Sequence, residues 1–264
     1  MLSVDKHLAL CYNKHNKGKG SVFMIIDFHA HILPRCDHGC HSSAMALEQL
    51  SLMKSAGTAA VVATPHFYPN EDSIASFLAA REGALDAMRE KLPLEALPAV
   101  YPAAEVLVCE GLHKMKDLES LTVSGTNVIL LEMPFRNWSE GLMNTVLGVK
   151  DRGLVPVLAH INRYDLEKVE ILLDAGILAQ VNAEAFAPFK NFKRYAELME
   201  GGKVVALGSD LHEAKRADYK RFLHMQKKLG TLADAVFAKT EALLKNATPL
   251  YQSEREKATQ TQSV

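Results

Sequence analysis

Histidine and carboxylate residues recur along this sequence where apolar runs end, at spacings that suit metal binding. His29-Ala30-His31 closes the first run, Thr64-Pro65-His66 the second and Ser209-Asp210-Leu211-His212 the last. Glu105 lies within a third run, while Glu132 and His160 end two more. On an extended backbone residues i and i+2 point the same way, so His29 with His31, and Asp210 with His212, can each grip one ion. His38 follows on the loop after His31, close enough to return to the same region. Imidazole mixed with carboxylate is the donor set that borderline divalent metals such as Zn, Mn and Fe accept. Taken singly, each residue is better explained as a cap, an ion-pair partner or a satisfied core group. Crowded together and buried, such groups are costly unless paired or metal-bound.

The elements that must position them follow from the hydrophobic pattern. Strands are predicted over 24–28, 59–63, 99–106, 128–132, 155–160, 178–182 and 204–208, and helices over 43–56, 74–91, 139–151, 165–175 and 192–199. A last helical stretch, 219–245, is predicted to break near Gly230. Runs such as Val128-Ile129-Leu130-Leu131 suit parallel strands covered on both faces. Gly57, Gly153, Gly176 and Gly202 stand between a helix and the next strand, the place of a C′ glycine. Repeated βα units predict a closed or nearly closed barrel, with a doubly wound sheet as the alternative. In a barrel all the strand ends share one face, where active sites are built.

Bulk properties remove several function classes. The chain has 264 residues, 48% hydrophobic, with a net charge of −1, so it can bury a large core but offers no broad basic field for nucleic acid or anionic lipid. No apolar run reaches the length of a membrane span. The polar leader, 1–23, and the tail, 251–264, are assigned outside a single domain over 24–250. With no export signal, the expected compartment is the cytoplasm, with reduced thiols. Cys36 and Cys40 flank His38 like half a zinc knuckle, but the second half is missing. Neither a P-loop nor a dinucleotide fingerprint follows any predicted strand. No cysteine is followed by five residues and an arginine, which disfavours a thiolate phosphatase.

With those residues in view, the chain resembles the polymerase and histidinol phosphatase (PHP) family. The likeness rests on His29-Ala30-His31, His38, Ala63-Thr64-Pro65-His66, Glu105, Glu132, His160 and Ser209-Asp210-Leu211-His212, and covers residues 24–230. It implies a distorted (β/α)7 TIM-like barrel holding two or three divalent metal ions, with Mn first choice and Fe or Zn alternatives. Within the family, Asp27-Phe28-His29-Ala30-His31-Ile32-Leu33-Pro34 is most similar to manganese-dependent tyrosine phosphatases of bacterial capsule and exopolysaccharide operons. The resemblance implies one metal on His29, His31, Glu105 and Asp210, a second on Glu105, Glu132 and His160, and a third on His38, His66 and His212. Two motifs depart from that branch. It has Asp-Asp-Gly where this chain has Asp37-His38-Gly39, and His-Pro-Glu-Arg where this chain has His160-Ile161-Asn162-Arg163.

The activity so implied is hydrolysis of a phosphomonoester, by in-line attack on phosphorus of a hydroxide formed on bound metal. Arg163, and with weaker register Arg216, are the residues the resemblance assigns to the phosphate. A guanidinium fork can hold two phosphoryl oxygens, although an ion pair of Arg163 with Asp165 or Glu167 is the plainer alternative. Phe67, Tyr68 or Trp138 could pack on a substrate ring. The expected substrate is a phosphotyrosine protein such as a bacterial tyrosine kinase. Two rivals stand beside it: a phosphatase of histidinol phosphate or a nucleotide, and a metal-stabilised binding protein without turnover.

Overall fold

The computed structural model describes residues 23–186 and 192–251. The predicted leader, apart from Phe23, and the predicted tail, apart from Tyr251, lie outside them. Strands β1 (Ile26–Ala30), β2 (Ala60–Ala63), β3 (His66–Phe67), β4 (Ala99–Pro102), β5 (Glu105–Leu107), β6 (Val128–Glu132), β7 (Val155–Leu158), β8 (Leu178–Asn182) and β9 (Val204–Gly208) alternate with helices. These are α1 (Ser43–Ser55), α2 (Ile74–Lys91), α3 (Glu140–Asp151), α4 (Leu166–Asp174), α5 (Phe192–Glu200), α6 (Arg216–Leu229) and α7 (Thr231–Leu243). Ser42, Ser73, Ser139 and Asp165 cap α1 to α4 by accepting a backbone N–H of the first turn. The four predicted C′ glycines all have left-handed φ, which satisfies the last carbonyls of the preceding helices.

All strand pairs are parallel, in the orders β1-β2-β4 and β3-β5-β6-β7-β8-β9. The sequence reading merged β4 with β5 and missed β3. Proline explains the interruption, because Pro65 and Pro102 have no N–H for the ladder. Pairing continues across the breaks through Ala103 N–H to Ala63 O (2.9 Å) and Glu105 N–H to Pro65 O (3.0 Å). At the far edge Asp210 N–H donates to His29 O (2.7 Å) and His31 N–H to Leu211 O (3.0 Å), bringing β9 back to β1. The result is the distorted barrel that the family resemblance implied, kinked where prolines cut its ladders.

β1 shows how this scaffold makes a site. All five of its residues are buried, as expected for a strand covered on both faces. Period-two alternation sends Ile26, Phe28 and Ala30 to one face, and Asp27 and His29 to the other. β1 lies two residues further along than predicted, so His29 is part of the strand and His31 sits just beyond its end.

Candidate metal centre

The nine candidate ligands converge at the carboxyl ends of the strands. Register sets His66 opposite Glu105 on β3 and β5, and Leu107 opposite Glu132 on β5 and β6. Glu105 is the hub. Its Oε2 lies 3.1 Å from His29 Nε2, 3.3 Å from His31 Nε2 and 2.9 Å from His66 Nδ1. Its Oε1 lies 2.8 Å from His160 Nε2, which is 3.5 Å from Glu132 Oε1. Asp210 Oδ1 completes a group with His29 (3.4 Å) and His31 (3.2 Å). The His38 ring centroid lies 4.9 Å from that of His66 and 4.7 Å from that of His212.

Donor chemistry fits divalent metal ions. His29 Nε2 and His31 Nε2 face each other at 3.1 Å, a separation that two lone pairs tolerate only when a proton or a cation lies between them. Glu105 Oε2 and His66 Nδ1 are buried and make no hydrogen bond despite their proximity, a pairing costly for polar atoms that serve no third group. Three sets, His29/His31/Asp210, His66/Glu105/Glu132 and His31/His66/His212, each keep one donor atom per residue within 4.8 Å of the others.

Electrostatics agrees with a crowded cluster. Burial alone would push the His31 imidazolium down, but the neighbouring carboxylates of Asp210, Asp37 and Glu105 outweigh it and hold its pKa well above the usual range. Burial likewise opposes the charge on His160, yet Glu105 and Glu132 raise its pKa to about 9. Asp210 and Glu105 are held below the usual carboxylate range because neighbouring imidazoles overcome the cost of their burial. His212 moves the other way, down to about 4, through burial and the charge of His31. Asp27, beneath the cluster, is pushed up to about 6 by burial, against hydrogen bonds from Ser209.

A second layer, absent from the sequence reading, orients the first. Asp37 Oδ2 accepts from His31 Nδ1 at 2.7 Å and from His66 N–H at 3.0 Å. On β8, which bears no candidate ligand, buried Gln180 Oε1 meets His29 Nδ1 (3.3 Å) and accepts from His160 N–H (2.7 Å). Gln180 Nε2 donates to Asn182 Oδ1 (2.8 Å), and Asn182 Nδ2 donates to Asp210 Oδ2 (3.0 Å). Partners on Nδ1 leave the Nε2 lone pairs of His29 and His31 facing the cluster. The signal was visible: Gln180 and Asn182 stand two apart in an otherwise apolar strand, the spacing of His29 and His31. Gly208 makes room for this layer, since a Cβ there would lie 2.6 Å from both Gln180 Nε2 and His29 Cβ.

A cleft of about 520 Å³ opens above the cluster, lined by His38, His66, Glu132, His160, Asp210 and His212 among others. Arg163 lines it too, pairing not with Asp165 or Glu167 but with Asp210 Oδ2 (2.6 Å) and Glu184 Oε1 (2.9 Å). Arg216 is exposed at the start of α6 and is not among the lining residues, whereas Lys215 and Arg221 are. Of the three aromatics named from sequence, Tyr68 lines the cleft, Phe67 is fully buried against Phe77, and Trp138 packs on Tyr164. Cys36 and Cys40 are free thiols; Cys40 donates to Ser42 O.

The family model for capsular polysaccharide synthesis, CpsB/CapC, matches residues 25–244. The chain belongs to the CpsB/CapC family. Among its relatives, the tyrosine-protein phosphatase CpsB of Streptococcus pneumoniae is 28% identical over 211 residues, covering 71% of this chain and 83% of that protein. The CpsB of Streptococcus agalactiae is 22% identical over 201 residues, again covering 71% and 83%. A crystal structure from work on YwqE of Bacillus subtilis and CpsB of Streptococcus pneumoniae, described as metal-dependent tyrosine phosphatases, superposes with a TM-score of 0.69. It is 25% identical and covers 84% of this chain and 95% of that one. Among the described residues of this CpsB/CapC chain, no helix is long and apolar enough to cross a membrane.

Proposed function

We propose that this chain is a metal-dependent protein-tyrosine phosphatase of capsule or exopolysaccharide synthesis, a single barrel domain over 24–250 that acts in the cytoplasm. Its substrate is a phosphotyrosine protein such as a bacterial tyrosine kinase. One observation carries the reading: the carboxylate oxygen of Glu105 is ringed by three imidazole nitrogens within 3.3 Å and has no hydrogen bond of its own. The named activity of its relatives supports the same reading.

His29, His31, Glu105 and Asp210 would hold one ion, Glu105, Glu132 and His160 a second, and His38, His66 and His212 a third. Such ions, when bound, acidify water at neutral pH and neutralise charge developing on phosphoryl oxygens. Carboxylate in two of the three sets favours Mn, with Fe and Zn as alternatives. Arg163 contributes directly. Its guanidinium, oriented by Asp210 and Glu184, sits at the cleft where it can donate to phosphoryl oxygens. Arg221, which lines the cleft, is a better placed second cation than Arg216. A phenolate needs less protonation on departure than an alkoxide, and no strong acid is required of the cleft.

The test is metal analysis of freshly purified protein, followed by turnover of a phosphotyrosine peptide and of histidinol phosphate at equal metal. Dominant peptide turnover is expected. Faster turnover of the alcohol phosphate would overturn the substrate, and a metal-loaded protein that cleaves neither would overturn the enzyme.

A further inference from the structure

We infer that Phe135 is the seat for the substrate's aromatic ring and selects aryl over alkyl phosphoesters, an inference that rests on the phosphatase reading above. Phe135 is 64% exposed, the most exposed large hydrophobic side chain among the described residues. It lines the cleft beside Glu132 and His160. Apart from Tyr68, the other lining side chains are charged, imidazole or small.

The turn that presents Phe135 is braced rather than loose. It follows Glu132 at the end of β6, so the ring is tied in sequence to a candidate ligand. Met133 N–H donates to the Tyr164 hydroxyl (3.0 Å), and Trp138 Nε1 donates to Pro134 O (2.6 Å), anchoring both ends. Asn137 takes a left-handed φ of 60° that turns the chain back. Tyr164 is the common support: its ring meets Trp138 edge-on at 5.2 Å, Phe135 at 6.5 Å and His160 at 5.5 Å. Apolar surface this large is ordinarily withdrawn from water. Here aromatic packing and two hydrogen bonds hold it out at the cleft. An ester whose phosphoryl group lies against Arg163 and the metal ligands would have its leaving group at the rim, where a phenyl ring can stack on Phe135 or meet it edge-on.

The experiment measures calorimetric binding of phenylphosphonate and methylphosphonate to the manganese-loaded full chain and to Phe135→Ala and Phe135→Trp, alongside phosphotyrosine-peptide kinetics. Phe135→Ala should weaken phenylphosphonate roughly two- to tenfold, the size of one aromatic contact, and leave methylphosphonate unchanged. KM for the peptide should rise by the same factor at constant kcat, and Phe135→Trp should restore both. Equal weakening of both phosphonates, or an undiminished phenyl preference in Phe135→Ala, overturns the role of Phe135 while leaving the phosphatase reading intact. Wild-type protein that binds phenylphosphonate but hydrolyses no aryl phosphate overturns the catalytic reading instead, and the phosphonate ratio still decides Phe135. If wild-type protein binds neither phosphonate, both readings fall.

Discussion

The two ends of the barrel are built from the same strands and differ in almost every physical respect. At the carboxyl ends, buried imidazoles and carboxylates crowd within 2.8–3.5 Å of each other, and His160 and Asp210 adopt left-handed φ without being glycine. At the amino ends, a smaller cleft of about 430 Å³ is lined by Gly125, Thr126, Asn127, Val155, Lys245 and Asn246 among others. Glycines such as Gly125 and Gly153 take left-handed positions there, and polar side chains satisfy turns: Thr126 Oγ1 accepts from Val128 N–H at 3.1 Å. One end crowds donor groups that a bound cation would satisfy, and the other satisfies its polar groups within local turns. Left-handed backbone at His160 and Asp210, two candidate ligands, is the kind of local strain that marks a functional site.

The largest effect should come from the hub. Glu105→Gln keeps the shape but removes the charge shared by four imidazoles, and aryl-phosphate kcat/KM should fall by more than about 100-fold, the scale of losing a metal ligand set. Circular dichroism should show the barrel intact. Retained activity would erase the distinction between the two ends.

Next in size is the amide layer. Gln180→Leu removes the acceptor that orients His29 and anchors His160, and metal affinity should fall roughly 10- to 100-fold, as for other outer-shell partners. Competition with a chelator reads this directly. Gln180→Glu keeps the acceptor to His29 and should recover part of the affinity. Equal loss in both variants would make Gln180 a packing residue only.

Protons sharpen the comparison further. His160 is raised to about 9 from an ordinary 6.5, so in metal-free protein at pH 7 its imidazole is charged and must lose a proton to bind metal. Metal affinity should rise with pH up to about 9, and calorimetry in buffers of different ionisation enthalpy should register proton release. In the metal-free protein the sign is opposite: the stability contributed by His160 is complete below pH 6.5 and is lost as pH rises through about 9. The amino-end surface should show no such metal-linked titration.

The smallest effect belongs to the other end. Gly153→Ala meets no neighbour but forces a φ of 84° on an L side chain, so it should cost on the order of 1 kcal/mol of stability. Thermal unfolding reads that loss, and kcat/KM of the metal-loaded enzyme should not change.

The sequence by itself determined the barrel class, the glycines that end the helices and the identity of the candidate ligands. Those depend on local chemistry: hydrophobic period, glycine after helix ends, and imidazole or carboxylate where each run stops. Ala99–Val106 looked continuous because composition does not reveal that Pro65 and Pro102 interrupt the ladder on adjacent strands. Tertiary structure alone decided which oxygen of Glu105 faces three imidazoles and which carboxylates Arg163 holds. It also decided that β8 serves the centre through amides and that Phe135, not Trp138, stands open to the cleft. These are distances between residues up to about 180 positions apart, such as Asp27 and Ser209. They are set by strand register and barrel closure, which pattern and propensity constrain only one segment at a time.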